Sequence, residues 1–217
     1  MFTDPSQHLG ATVREVRHLE YRGQRARAVV AVRAYTTTRD DLWDALTNGE
    51  RIPRWFLPIS GELRVGGRYQ FQGNAGGLIE TCDAPTSLSV TWEYGAQITW
   101  VRVTLHVVNE ESTRLELEHI APVTDEGEAF WTRYGPGAVG VGWDLGLTGL
   151  ERHVDTGADN DGKAAEAWTL SPEGQAFVKQ CSDGWGAASI AAGTEKQAAL
   201  KAAAHTFAFY TGQPEPE

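Results

Sequence analysis

Tyr134–Val154 reads YGPGAVGVGWDLGLTGLERHV, and whether it forms a helix decides the fold. Six glycines in these twenty-one residues argue against a helix. Each glycine in a helix interior costs about 1 kcal/mol relative to alanine. The apolar spacing argues the other way. Val139, Trp143, Leu147, Leu150 and Val154 fall on one helical stripe, and Gly135-Pro136 offers a start, because proline suits a first turn. A long helix is therefore expected, with its glycines marking places of close approach. Gly142, Gly146 and Gly149 share one edge of the stripe and are expected to seat the C-terminal helices on this one.

Working outward, the preceding chain reads as a sheet. Residues 26–35 (ARAVVAVRAY) are β-branched and apolar. Thr38 is placed to cap a helix bearing Leu42, Trp43, Ala45 and Leu46, with Asn48-Gly49 as its stop. A second short helix is expected over GERIPRWF. Strands then follow in quick succession: GRYQFQG with Tyr69 and Phe71 on one face, GLIETCD, and SLSVTWEY with Leu88, Val90, Trp92 and Tyr94. ITWVRVTLHVV carries Val101, Val103, Leu105 and Val107, and TRLELEHI carries Leu115, Leu117 and His119. One-face alternation means antiparallel strands with one wet side. The fold class expected is α+β, a curved antiparallel sheet wrapped around a long helix, with an extra α-helical C-terminal extension.

Four regions are expected: an N-terminal segment 1–25, a main domain 26–154, a small polar linker 155–170 and a helical extension 171–212. In the extension, Ser171-Pro172-Glu173 opens a helix with Phe177, Cys181, Trp185 and Ala188 on one stripe. Thr194 with Gln197 resembles another capping box, before a stripe of Leu200, Ala203, Phe207 and Tyr210. QPEPE reads as a frayed tail, and TDEGEAF (124–130) as an acidic loop or a lid.

At 217 residues, 41% of them hydrophobic and eight of them tryptophan, the chain can bury a sizeable core. Its net charge of −10 argues against nucleic acid as a partner. No apolar run is long enough to span a bilayer, so no membrane partner is expected. MFTDPSQHLG has neither a basic start nor an apolar segment, so no signal peptide is expected and the assigned compartment is the cytoplasm. Cys82 and Cys181 share no metal or redox spacing, and no cofactor or metal is expected. Gly140-Val141-Gly142 lies inside the helix pattern, not after a strand, which removes a nucleotide-loop reading.

VRAYTTTRDDLWDALTNGERIPRWFLP resembles the opening of the Hsp-90 ATPase activator-like family, within the bacterial and eukaryotic START-like, SRPBCC superfamily. The matching residues are Arg33, Leu42-Trp43-Asp44-Ala45-Leu46-Thr47 and Arg54-Trp55-Phe56. GELRVGGRYQFQ, DAPTSLSVTWEY, RLELEH and GWDLGLTGL follow in the family's order. Thr36-Thr37-Thr38 stands where members often carry Ala-Pro, and the last sixty or so residues lie outside the resemblance. The resemblance implies a helix-grip fold with a cavity between sheet and helix, and a hydrophobic small molecule as ligand. Superfamily members also include polyketide cyclase-like enzymes, so a cyclase or hydrolase using the same cavity is the alternative function. A chaperone-associated interaction module is the other, with a chaperone as partner, and a homodimer is compatible with each.

The candidate ligand-binding residues are Phe71, Trp92, Tyr94, Trp100, Leu105, Leu117, His119 and Trp143. The aliphatics and Phe71 follow from the inward parity of their strands, Trp92, Tyr94 and Trp100 cluster toward one sheet end, and Trp143 comes from the apolar stripe of the helix. His119 occupies an inward position between leucines, so its ring needs a partner or a cavity. An enzyme would pair His119 with Tyr94 as acid–base groups. His153, near the helix end, reads as a cation suited to the helix dipole.

Overall fold

The computed structural model describes residues 12–216. The expected N-terminal segment therefore falls partly outside the described residues, as does the leader reading of MFTDPSQHLG.

Eight strands build one antiparallel sheet: β1 (Thr12–Tyr21), β2 (Gln24–Tyr35), β3 (Ile59–Gly61), β4 (Arg68–Phe71), β5 (Gly76–Asp83), β6 (Ser87–Tyr94), β7 (Gln97–Asn109) and β8 (Ser112–Pro122). Their order across the sheet is β1-β2-β8-β7-β6-β5-β4-β3. Among the described residues six α-helices accompany them: α1 (Arg39–Thr47), α2 (Asp125–Tyr134), α3 (Gly137–Thr156), α4 (Gly162–Thr169), α5 (Pro172–Ala191) and α6 (Lys196–Thr211). The fold is α+β of the helix-grip type, as the sequence leads one to expect, with α5 and α6 in the expected helical extension and α4 in the stretch read as a linker.

The long helix exists despite its glycines, and burial explains why. Trp143, Leu147 and Leu150 of the expected stripe are buried, but so are Val141, Asp144, Thr148 and His153. A helix enclosed on most sides draws its stability from packing more than from propensity.

The chain forms two compact units. One comprises the described residues up to Ala31, Pro122–Leu145 and the described residues from Asp161 onward; the other comprises Val32–Ala121 and Gly146–Asn160.

In the second unit, register follows the alternation read from sequence. Val90 pairs with Val101 and Trp92 with Thr99 across β6 and β7, while Val101 pairs with His119 and Val103 with Leu117 across β7 and β8. Register shifts between Ile79 and Thr81, and between Val107 and Asn109, bend the strands. Where the second shift begins the inward reading fails: Val107 is 57% exposed. Thr38 caps α1 as expected, accepting from the Asp41 N–H at 3.3 Å. GERIPRWF gives only a 3-10 turn, Ile52–Arg54.

The first unit departs from the sequence reading in several places. TDEGEAF opens α2 instead of forming a loop, with Thr124 as N-cap and Asp125, Glu126 and Glu128 in the first turn, where the helix dipole favours carboxylates. Glu128 also pairs with Arg27. Within 155–170, Asp161 accepts from the Lys163 and Ala164 N–H groups and starts α4. Glu195, not Thr194, caps α6 by accepting from the Ala198 N–H. Thr194 Oγ1 instead accepts from Ser189 Oγ at 2.9 Å.

The glycines of α3 do not form a single seat. A Cβ on Gly140 would lie 2.1 Å from the Trp185 ring, and one on Gly142 would lie 3.0 Å from the Tyr210 hydroxyl. Gly146 and Gly149 meet the other unit's own residues: a Cβ would lie 3.2 Å from the Phe56 ring and 2.6 Å from the Trp55 carbonyl oxygen.

Candidate functional site

The inner face of the second unit's sheet carries a run of aromatic rings. Ring centroids lie 5.9 Å apart for His119 and Trp92, 5.7 Å for Trp92 and Phe71, and 5.0 Å for Phe71 and Phe56. Tyr69 joins at 5.4 Å from Phe71, its hydroxyl donating to the Thr91 carbonyl at 2.8 Å. Phe71, Tyr69 and Ile52 form a buried cluster, and packed against it are Phe56, Leu57, Ile59, Ile79, Val90 and Trp92, all only partly buried. The face is apolar and incompletely sealed.

His119 is the titratable group of this face. It is 7% exposed, and burial pushes its pKa down to about 4, so the ring is neutral at physiological pH. The hydrogen bonds assign the tautomer. Thr99 Oγ1 donates to the Trp92 carbonyl at 3.1 Å, so its contact with His119 Nε2 at 2.8 Å needs Nε2–H as the donor. Nδ1 is then the unprotonated nitrogen.

Of the residues expected to bind a ligand, the structure brings Phe71, Trp92 and His119 into this run. Leu105 and Leu117 are buried at 2% and 4% exposure on the same face of β7 and β8. Trp100 lies on the opposite face, paired with Thr91 and Ile120, as its parity against Val101 dictates. Tyr94 sits at the end of β6 and is 63% exposed, apart from His119. Trp143 is buried in the first unit. Sequence reasoning missed Phe56 and Thr99. Phe56 was visible in the RWF segment, and Thr99 shares Val101's inward parity.

Two polar centres border the second half of α3. Arg33 is 1% exposed, bonded to Thr148 Oγ1 at 3.3 Å and ion-paired with Glu151. His153 is not the helix-end cation expected of it. Its Nδ1 lies 3.2 Å from the Ala158 carbonyl and its Nε2 accepts from Arg51 Nε at 3.4 Å, a pattern only the neutral, Nδ1-protonated ring can make. Arg51 in turn bridges Asp41 and Asp44.

The first unit holds a buried centre of its own. Arg14 reaches both oxygens of Asp144 at 2.9 and 3.1 Å, and Trp185 Nε1 donates to the same carboxylate at 2.8 Å. Burial raises the Asp144 pKa, with Arg14 opposing the shift, and burial raises that of the adjacent Cys181 thiol, which is thereby a poor nucleophile. No cluster of histidine, cysteine and carboxylates able to hold a metal occurs among the described residues.

This is the architecture of a helix-grip protein with an apolar inner face. The chain belongs to the family described as activator of Hsp90 ATPase homolog 1-like protein, whose family model matches residues 36–155. CalU16 from Micromonospora echinospora is similar over 82% of this chain and 98% of its own in the crystal structure, with 28% identity and a TM-score of 0.65. Its solution structure gives 30% identity over 85% and 97% of the two chains, with a TM-score of 0.69. Protein MLL2253 from Mesorhizobium loti shares the fold at 21% identity, covering 59% of this chain and 96% of its own, with a TM-score of 0.50. The CalU16 likeness thus runs well beyond the residues of the family match. No curated protein matches the chain. No helix among the described residues is long and apolar enough to cross a membrane.

Proposed function

We propose that the protein binds a hydrophobic or aromatic small molecule against the face formed by Phe56, Phe71, Trp92 and His119. The observation that carries this reading is the ring of half-buried apolar side chains around the closed Ile52–Tyr69–Phe71 cluster. Rings that stack on one another yet stay partly open can gain about 25 cal/mol for each Å² a ligand covers. His119, neutral and held by Thr99, adds a polar group that orients without the cost of a buried charge. Family membership supports the reading at the level of fold. Catalysis is the less supported use of the face, because Tyr94, the second group it would need, is exposed at the end of β6.

The test uses 8-anilinonaphthalene-1-sulfonate as probe, with native mass spectrometry of the purified protein alongside. Saturable one-to-one binding is expected, weakened by about tenfold in Trp92→Ala at an unchanged melting temperature, a loss near 1.4 kcal/mol. Probe binding that ignores Trp92→Ala, together with no co-purified small molecule, would overturn the proposal.

A further inference from the structure

The tail expected to fray is instead held along the first unit. Arg133 donates from Nε and Nη2 to one oxygen of Glu215 at 3.0 and 2.7 Å, and the Tyr134 hydroxyl donates to the other at 2.8 Å. His205 reaches two backbone carbonyls, that of Arg133 through Nδ1 at 3.0 Å and that of Pro216 through Nε2 at 3.1 Å. Gln213 closes the near end, its backbone N–H on the Ala208 carbonyl and its side chain on Gln175. A guanidinium and a phenol thus converge on one carboxylate, with the His205 ring beside the carbonyl that follows it. An isolated exposed ion pair contributes little, whereas a donor set engaging both carboxylate oxygens adds geometric selectivity.

Beside the tail lies apolar surface that it does not cover. Phe130 is 48% exposed and Phe209 is 60% exposed. Both rings pack on Tyr134, at 5.1 and 5.6 Å between centroids. Exposed aromatics next to a basic carboxylate clamp are the elements that recognise a proline-flanked acidic strand. Proline stiffens such a strand before it docks, and aromatic faces take its rings.

We propose that this α2–α6 face is a docking site for an extended, proline-flanked acidic segment of another protein, with the chain's own Gln213–Pro216 as its resident competitor. The site lies wholly within the first unit and is independent of the small-molecule face. Being tethered, the tail competes at an effective concentration in the millimolar range. An incoming segment must therefore match the clamp and also use Phe130 and Phe209.

The experiment titrates the acetylated peptide Gln-Pro-Glu-Pro-Glu into the isotope-labelled full-length protein and follows its amide resonances. In wild type the peptide meets an occupied clamp. Glu215→Gln, which removes the tail's charge and leaves its length intact, is expected to bind the peptide about tenfold more tightly than wild type. Shifts should concentrate at Arg133, His205 and Phe209. Adding Arg133→Gln to that variant is expected to abolish binding, and a Gln-Pro-Gln-Pro-Gln peptide should not bind. If Glu215→Gln binds no better than wild type, or the neutral peptide binds as well as the acidic one, the proposal is overturned.

Discussion

The two units each bury an ionisable group at a comparable depth, and they surround it differently. In the first, Asp144 at 1% exposure is met by donors from Arg14 and Trp185 Nε1, which oppose the rise that burial imposes on its pKa. In the second, His119 at 7% exposure gives up its charge and bonds the Thr99 hydroxyl. A buried ion pair hydrogen-bonded at both carboxylate oxygens fixes one arrangement. A neutral ring on an apolar face costs less to bury and remains chemically adaptable. The contrast separates a centre that ties the fold together from one that lies on the proposed ligand face.

The largest expected effect attacks the compensated centre. Asp144→Ala leaves the Arg14 guanidinium buried without its partner, and a loss of roughly 3–5 kcal/mol is expected by chemical denaturation. The double variant Arg14→Met/Asp144→Leu should cost less than the single one, since it removes both charges together. A double variant less stable than Asp144→Ala would mean that the pair itself, and not the orphaned charge, carries the energy.

The second effect is one of pH and belongs to His119. In the unfolded chain the imidazole takes up a proton near pH 6.5, while in the folded protein burial delays this to about pH 4. Between these values the unfolded state binds more protons, so stability is complete above pH 6.5 and falls as the pH drops toward 4. The span corresponds to a loss on the order of 3 kcal/mol. Subtracting the stability profile of His119→Phe from that of wild type should leave this slope; a flat difference would place the histidine in water and blunt the contrast with Asp144.

The smallest effect tests whether the first unit tolerates losing a neutral bond. Tyr210 donates to the Ala138 carbonyl at 2.8 Å, and Tyr210→Phe should cost about 1 kcal/mol, read as a small fall in melting temperature. The same change removes the atom nearest to a Cβ at Gly142, so Gly142→Ala should be better tolerated in that background. Equal penalties in both backgrounds would show that the hydroxyl does not limit that position.

The sheet was legible because each strand from β6 to β8 alternates without interruption, and a period of two fixes which side chains share a face. His119 and Leu117 take the inward face for that reason, while Trp100, one residue out of step with Val101, takes the opposite one. β1 did not announce itself. Its sequence TVREVRHLEY carries charge on both faces, and only the structure reveals that Arg14 points to a buried carboxylate. The acidic opening of α2 concealed a helix for a related reason, since carboxylates that mark loops elsewhere are favourable in a first helical turn. The tail was misread because the partners of Glu215 lie 81 and 82 residues earlier in the chain, a separation no local pattern reports.

The glycines of α3 answer to two kinds of neighbour, with a consequence for how such sequences can diverge. At Gly140 the obstacle is a side chain, the Trp185 ring, so a lineage that exchanges this tryptophan for something smaller frees the position, and the two sites should vary together. At Gly149 the obstacle is the Trp55 carbonyl, which every residue carries, so no partner substitution can release it. Gly77 against the Thr91 carbonyl and Gly174 against that of Trp168 fall in the same class. One kind of glycine is a negotiable agreement between two positions; the other stays invariant for as long as the backbone keeps its course.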